Sequence, residues 1–415
     1  MADLIGFRQC ARNDMKTVRW IAPLLVLAAL AAGCKGFWDL PAGSGTGTGT
    51  TPTTDSSGVF YVLNQTTKQI AGFKISSGTL DNISGSPYNL PAAPTSIAID
   101  PVNGAFLYVG TINGIYLYSI ASGGALTLAN NSNPISDDIP AAMLISGSWL
   151  VDAFSTATNS PQIDAIPIDP STGAYTGSGG APPSQIFSSI TNAAVKQMVL
   201  SQDGANLFVA LGTGGSIVVP FTSSSNSNPL AATATTIPLA NSGGGALSVA
   251  VDPTNRVFYI GETDVNGSGG LRVFNYSSLG TAVPRTTPTQ ITGSPIATGG
   301  LSPLAILPLS NGEYVYVANG QGNTTAGNVA WFPITASGTA YSIAAGKTIA
   351  AGVYPDGLAE DSSGNFVLAV ASGGTTSSAN PDLDAFTISS GVLTSAIQAK
   401  TGTDPVGAIA IAPLP

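Results

Sequence analysis

Two carboxylates in this sequence stand where its repeated pattern calls for an apolar side chain. Glu360 lies in the run DGLAED at the place that Ile99, Leu200 and Val251 take in similar runs, and Asp152 interrupts the run WLVDAF. An ionised carboxylate in an apolar slot is costly unless water, a proton or a partner compensates it. Glu360 therefore reads as a solvated group facing an internal channel, or as a ligand for a cation or substrate, and Asp152 poses the same question. Asp356, four residues before Glu360, is a second candidate carboxylate for a hydrolysis or isomerisation that uses either of them. Ser96, Gln197, Ser248 and Asp356 each stand near the start of a repeated apolar run, and they form a ligand-binding set if those starts converge. Glu262 and Arg272 fall on consecutive strand-like runs, where a modest ion pair at the surface is expected.

Composition narrows the chemistry further. Histidine is absent from all 415 residues, which removes the most versatile acid and base near neutral pH and the commonest metal ligand. A serine nucleophile would then need a lysine or carboxylate as its base, and lysines are scarce. Neither a phosphate-binding GxxxxGK[ST] sequence nor a GxSxG nucleophile elbow occurs. DVNGSGG, from Asp264, lacks the further carboxylates and terminal Glu of a calcium-binding loop and reads as a hairpin loop. Only Cys10 and Cys34 are present. Both precede the repeats, so the folded part can hold neither a disulfide nor a thiolate metal site. No metal or cofactor is expected. With 22 acidic against 13 basic residues and a net charge of −9, electrostatic capture of nucleic acid is excluded.

The elements that carry these residues are strands. The chain is 43% hydrophobic and 8% charged, with 50 glycines and 29 prolines, a composition suited to an all-β protein with many turns. An apolar-small run, a tight turn such as DPVNGA and an aromatic or β-branched run form a hairpin that keeps returning. SIAIDPVNGAFLYVG from Ser96, LSVAVDPTNRVFYIG from Leu247 and DGLAEDSSGNFVLAV from Asp356 are its clearest copies. Seven first runs, seven second runs and seven third runs can be aligned, each unit closing on a more polar fourth run such as TATTIPL from Thr233. The second runs are marked by Tyr61, Tyr108, Val151, Phe208, Tyr259, Tyr316 and Leu368, 43 to 57 residues apart. Four strands per unit at that period predict a seven-bladed β-propeller of four-stranded antiparallel blades, with the small first strands around the channel. The series opens on a second run, VFYVLN, and ends on a first run, AIAIAP. The terminal blade should thus be built from both chain ends, which removes the last open sheet edges.

Upstream of the repeats, MKTVRWIAPLLVLAALAAGC joins a basic start to a short apolar run and ends in small residues before Cys34. It resembles a bacterial lipoprotein signal, with Leu30, Ala31, Ala32 and Gly33 as the lipobox. The run from Trp20 to Gly33 falls short of the roughly 20 residues of a spanning helix. The resemblance implies cleavage after Gly33, lipid attachment at Cys34 and a cell-envelope address, with Lys35 favouring the outer membrane. Residues 1–14 read as an extension ahead of the start at Met15, 15–33 as the signal, 34–57 as a flexible tether and 58–415 as the propeller. Trp38 and Asp39 spell an isolated WD dipeptide outside any repeat.

The phrase PTSIAIDPVNGAFLYV, with YPDGLAEDSSGNFVLAVA, resembles the lactonase family of seven-bladed propellers, which includes 6-phosphogluconolactonases and carboxymuconate cyclases; the latter phrase is also similar to an NHL-type blade. The resemblance spans Gly58 to Pro415. Enzymes of that family tend to carry Arg-His before the apolar part of an inner strand and a Glu after the second strand. Here Ser96 and Ser248 stand at the His position, Asp356 at the Arg position of the sixth unit, and Glu262 nearest the Glu. The resemblance thus implies the fold, and the substituted set leaves two functional expectations. The first is an envelope-anchored, monomeric binding or scaffold module that presents its channel mouth to a carbohydrate, peptide or envelope protein. The alternative is a lactonase-like hydrolase or isomerase using Asp356 or Glu360.

Overall fold

The computed structural model describes residues 58–76, 79–177, 181–322, 325–337, 340–373, 382–399 and 408–414. The expected signal, Cys34 and the expected tether lie outside them. Among the described residues no helix is long and apolar enough to cross a membrane. Among the described residues seven antiparallel sheets succeed one another, separated by turns and two single-turn 3-10 helices, Asn130–Ser132 and Tyr276–Leu279.

The innermost strands are Ala408–Pro413 (blade 1), Pro94–Ile99 (blade 2), Ala142–Ser146 (blade 3), Gln197–Leu200 (blade 4), Ala246–Val251 (blade 5), Ser302–Pro308 (blade 6) and Pro355–Glu360 (blade 7). Each lies against the next, and that of blade 7 against that of blade 1, so the ring is closed. Closure is made as the repeat order predicts: Ala408–Pro413 pairs antiparallel with Val59–Asn64, with Val62 opposite Ile411. Blades 1 and 6 depart from four strands, since Tyr88–Asn89 and Lys347–Val353 each add a further pairing to the third strand of their blade.

Alternation along the second and third strands sends one set of side chains to each neighbouring blade. Among the described residues this gives seven apolar clusters, one for each blade interface. Fully buried aliphatic and aromatic side chains such as Leu63, Val109, Phe208 and Val317 each contribute about 1.5–3 kcal/mol relative to exposure. The recurring tyrosines fasten blade to blade. The hydroxyls of Tyr61, Tyr108 and Tyr316 donate to the carbonyls of Gly124, Gly173 and Gly391 at 2.6, 2.7 and 2.8 Å, each in an outer turn of the next blade. Tyr259 meets the Tyr341 hydroxyl of blade 6 instead.

The DPxxG phrase is turn chemistry. Asp100 accepts from the backbone N–H groups of Val102 and Ala105. Asp361 does the same for Ser363, Asn365 and Phe366. An Asp side chain that satisfies turn amides in this way fixes the hairpin between first and second strands. These repeated acids are structural.

Candidate functional site

Side chains near the starts of the inner strands share one face of the ring, yet most are engaged with the next blade. Ser96 Oγ donates to the Pro140 carbonyl at 3.0 Å and Ser248 Oγ to the Pro303 carbonyl at 2.7 Å. Gln197 Oε1 accepts from the Val249 N–H at 3.0 Å. All three bonds cross a blade interface. Glu360 sits at the other end of its strand from Asp356, roughly 13 Å away at about 3.3 Å per residue. Its carboxylate accepts from Ser310 N at 2.8 Å and Ser310 Oγ at 3.0 Å, in the adjacent blade. Asp356 and Glu360 therefore do not meet over one substrate.

Asp356 differs from the others. The residue is half-buried, but its Oδ1 atom is shut away from solvent without a hydrogen-bond partner. Burial pushes its carboxyl well above the ordinary range, offset only in part by a hydrogen bond with Ser372. Two residues earlier, Tyr354 holds φ at 55°, a left-handed conformation that costs a tyrosine roughly 1–2 kcal/mol. Its ring lies against Gly320, where a Cβ would come within 3.2 Å of Cδ2, and its own Cβ would be 2.8 Å from a Cβ at Gly373. Side chains at those glycines would displace the tyrosine. The result is an aromatic ring and a carboxyl pushed well above its ordinary range side by side on the inner strand of blade 7.

The ion pair of Glu262 and Arg272 forms, at 2.7 Å, but it is not at the surface: the two side chains are 2% and 8% exposed. The expectation of a surface pair fails because alternation aims both groups into the interface of blades 4 and 5. There Arg272 also donates to the Pro238 carbonyl and lies over the Phe274 ring, while Glu262 accepts from Ala240 N–H.

Blade 3 holds the arrangement that the sequence disclosed only through Asp152. On its second strand, Trp149–Ser155, Asp152 pairs in register with Asp164 of the third strand, Pro161–Pro167. The equivalent second-strand positions are Val62, Val109, Val209, Ile260, Val317 and Ala369, all apolar. Asp138, on the segment leading into the inner strand of blade 3, brings a third carboxylate, and one oxygen from each of the three lies within 4.8 Å of the others. Asp152 is completely buried, with neither carboxylate oxygen hydrogen-bonded. Burial first, and then the charges of Asp138 and Asp164, drive its carboxyl well above the ordinary range. Asp164 is raised mainly by burial too, although Gln162 Nε2 donates to both of its oxygens at 3.0 Å. Oxygen-only donors of this kind suit a hard cation.

No protein-family model matches the sequence, and no curated protein does. Solved structures do match. A candidate 6-phosphogluconolactonase from Bacteroides fragilis superposes with a TM-score of 0.64 at 17% identity, over 88% of this chain and 100% of its own. The periplasmic gluconolactonase of Pseudomonas aeruginosa gives 0.61 at 16% identity, over 86% and 99%. A candidate 6-phosphogluconolactonase from Bacteroides uniformis gives 0.60 at 14%, over 86% and 100%. The fold is the seven-bladed, lactonase-like propeller. At these identities the likeness speaks for the fold alone.

Proposed function

We propose that this chain is a lipid-anchored envelope protein whose propeller binds a small, hydroxyl-rich ring at the channel end of blade 7. The observation that carries the reading is the unpartnered, buried Oδ1 of Asp356 beside the strained Tyr354. A buried polar atom without a partner is costly, and a left-handed tyrosine adds to that cost. A ligand hydroxyl on Asp356, with its ring against Tyr354, would offset both. The extracytoplasmic address is supported by the lipobox before Cys34 and by the periplasmic setting of the Pseudomonas relative.

A second reading keeps the same carboxyl. A carboxyl that burial pushes well above its ordinary range can serve as a general acid toward the leaving oxygen of a lactone, and gluconolactonase is the name of one structural relative. One experiment separates the two. The full chain is titrated calorimetrically with a panel of aldonolactones, aldonates and neutral sugars, and ring opening is followed in parallel. Saturable binding that weakens at least tenfold in Asp356→Asn and Tyr354→Ala, without turnover, is the expected result. Turnover abolished in Asp356→Asn replaces the binding reading with the enzymatic one. Binding or turnover that both variants leave unchanged removes this site from consideration.

A further inference from the structure

We propose that Asp138, Asp152 and Asp164 hold a divalent cation of calcium size between blades 2 and 3. The inference does not depend on the reading of blade 7. Its foundation is a comparison within the ring. The third-strand position of Asp164 is occupied by Ala71, Tyr116, Ile217, Arg272, Ala330 and Asp384 in the other blades. Where it is charged elsewhere, a local partner answers it. Arg272 meets Glu262, and Asp384 accepts from Gly352 N–H and from Gln398. In blade 3 Gln162 answers Asp164, but two more carboxylates converge on it, and Asp152 among them has no partner.

No basic side chain among the described residues pairs with them. Among the described residues the ion pairs are Arg256 with Asp252 and Arg272 with Glu262, both in blade 5. Leu150 and Ile166, two residues from Asp152 and Asp164 on the same sheet face, pack in the apolar cluster between blades 2 and 3 with Ile115, Met143 and Ile145. Asp152 is the observation that separates this group from an ordinary acidic cluster. It is fully buried, its oxygens have no partner, and it replaces an aliphatic residue of the repeat.

The geometry fits a cation. Calcium accepts oxygen ligands in a flexible shell, whereas magnesium demands a near-ideal octahedron and dehydrates reluctantly, so three carboxylates in a largely buried site favour calcium. One oxygen of each carboxylate lies within 4.8 Å of the others, which brings all three within reach of one shared ion. Their supports resemble those of a metal site: Gln162 fixes Asp164, and the Ser136 hydroxyl donates to Asp138 Oδ2 at 2.5 Å, leaving its other oxygen for a ligand. Asp138 is half-exposed, which gives an entry path.

The full-length chain, stripped with EDTA, is titrated with Ca²⁺ and with Mg²⁺ by calorimetry and by thermal melting. One Ca²⁺ per chain is expected, bound more tightly than Mg²⁺, with a rise in melting temperature of roughly 4 °C at a hundredfold excess over Kd. Asp152→Val restores the residue of Val62 and Val109, so it should fold and melt no lower than the stripped wild type, with no response to Ca²⁺. Asp138→Asn, altered at the half-exposed edge, should weaken binding at least tenfold. A stripped wild type that shows neither heat nor a melting shift with millimolar Ca²⁺ overturns the proposal. So does a folded Asp152→Val or Asp138→Asn that binds Ca²⁺ as the wild type does.

Discussion

Asp384 offers a sharp test of how burial sets the stability of this ring. Its carboxyl is raised from 3.8 to about 6, mainly by burial, although Gln398 and Gly352 N–H donate to it and lower the value in part. Two pKa units at about 1.4 kcal/mol each make the ionised form roughly 3 kcal/mol less favourable in the folded chain than in the unfolded one. In the unfolded chain the group loses its proton near pH 4, whereas in the folded chain it keeps it to about pH 6. Between these values the folded state binds more protons, so stability falls as pH rises and the full cost is present above pH 6. Below pH 4 both states are protonated and the cost vanishes. Asp384→Asn cannot ionise, and a turned Gln398 amide can still pair with it. With an unfolding entropy near 2.1 cal/mol/K per residue over roughly 360 residues, 3 kcal/mol corresponds to about 4 °C. The variant should therefore melt about 4 °C above wild type at pH 7.5 and together with it at pH 4, both measured in EDTA by scanning calorimetry. A variant that melts at or below wild type at pH 7.5 would show that the carboxylate is compensated in the folded ring and that the reasoning is wrong.

Arg272→Ile leaves Glu262 charged and buried, and should cost about 3–5 kcal/mol; adding Glu262→Leu, which recreates the Leu211 and Ile217 pair of blade 4, should recover most of that loss in urea unfolding. Glu360→Ala removes the acceptor of two hydrogen bonds from Ser310 and should cost about 1–2 kcal/mol, discounted for its partial exposure. Ligand titrations of Glu360→Ala should match wild type, because Glu360 lies at the far end of the strand from Asp356. Cys34→Ser should release the chain from the membrane fraction and abolish its labelling by radioactive palmitate.

The fold was legible because a propeller repeats its own rule. Tyr61, Tyr108, Tyr259 and Tyr316 recur at blade spacing, and the clustering of small first strands and the offset ends dictate the closure by Val59–Asn64 and Ala408–Pro413. The candidate sites were legible only as exceptions to that rule. Ser96, Gln197, Ser248 and Glu360 break the apolar pattern, but their partners, Pro140, Val249, Pro303 and Ser310, come from a neighbouring blade. No periodicity within one unit reveals such a partner. Asp152 stood out for the same reason, whereas Asp164 passed unremarked because its position varies from Ala71 to Arg272. Setting the third strands in register against the second would have placed Asp164 opposite Asp152. Asp138 comes from an irregular segment, where sequence spacing carries no such signal.

The polar exceptions divide by the sign of their contribution, and that division is measurable. Ser96, Gln197, Ser248, Arg272 and Glu360 each bond to a neighbouring blade, so removing one leaves a donor or acceptor stranded and should lower stability. Asp152 and Asp356 each keep a buried oxygen without a partner; Asp152→Val strands nothing, Asp356→Asn can keep the hydrogen bond with Ser372, and each removes a desolvated acid. Ligand-free Asp152→Val and Asp356→Asn should therefore unfold at higher urea than wild type at pH 7.5, by about 1–3 kcal/mol each. Evolution keeps a carboxylate of that kind against its cost to folding when something outside the chain binds to it, as stability is commonly surrendered at functional sites. If both substitutions lower the urea midpoint as Arg272→Ile does, the two acids are ordinary structural groups, and neither the channel end of blade 7 nor the interface of blades 2 and 3 needs a ligand to explain it.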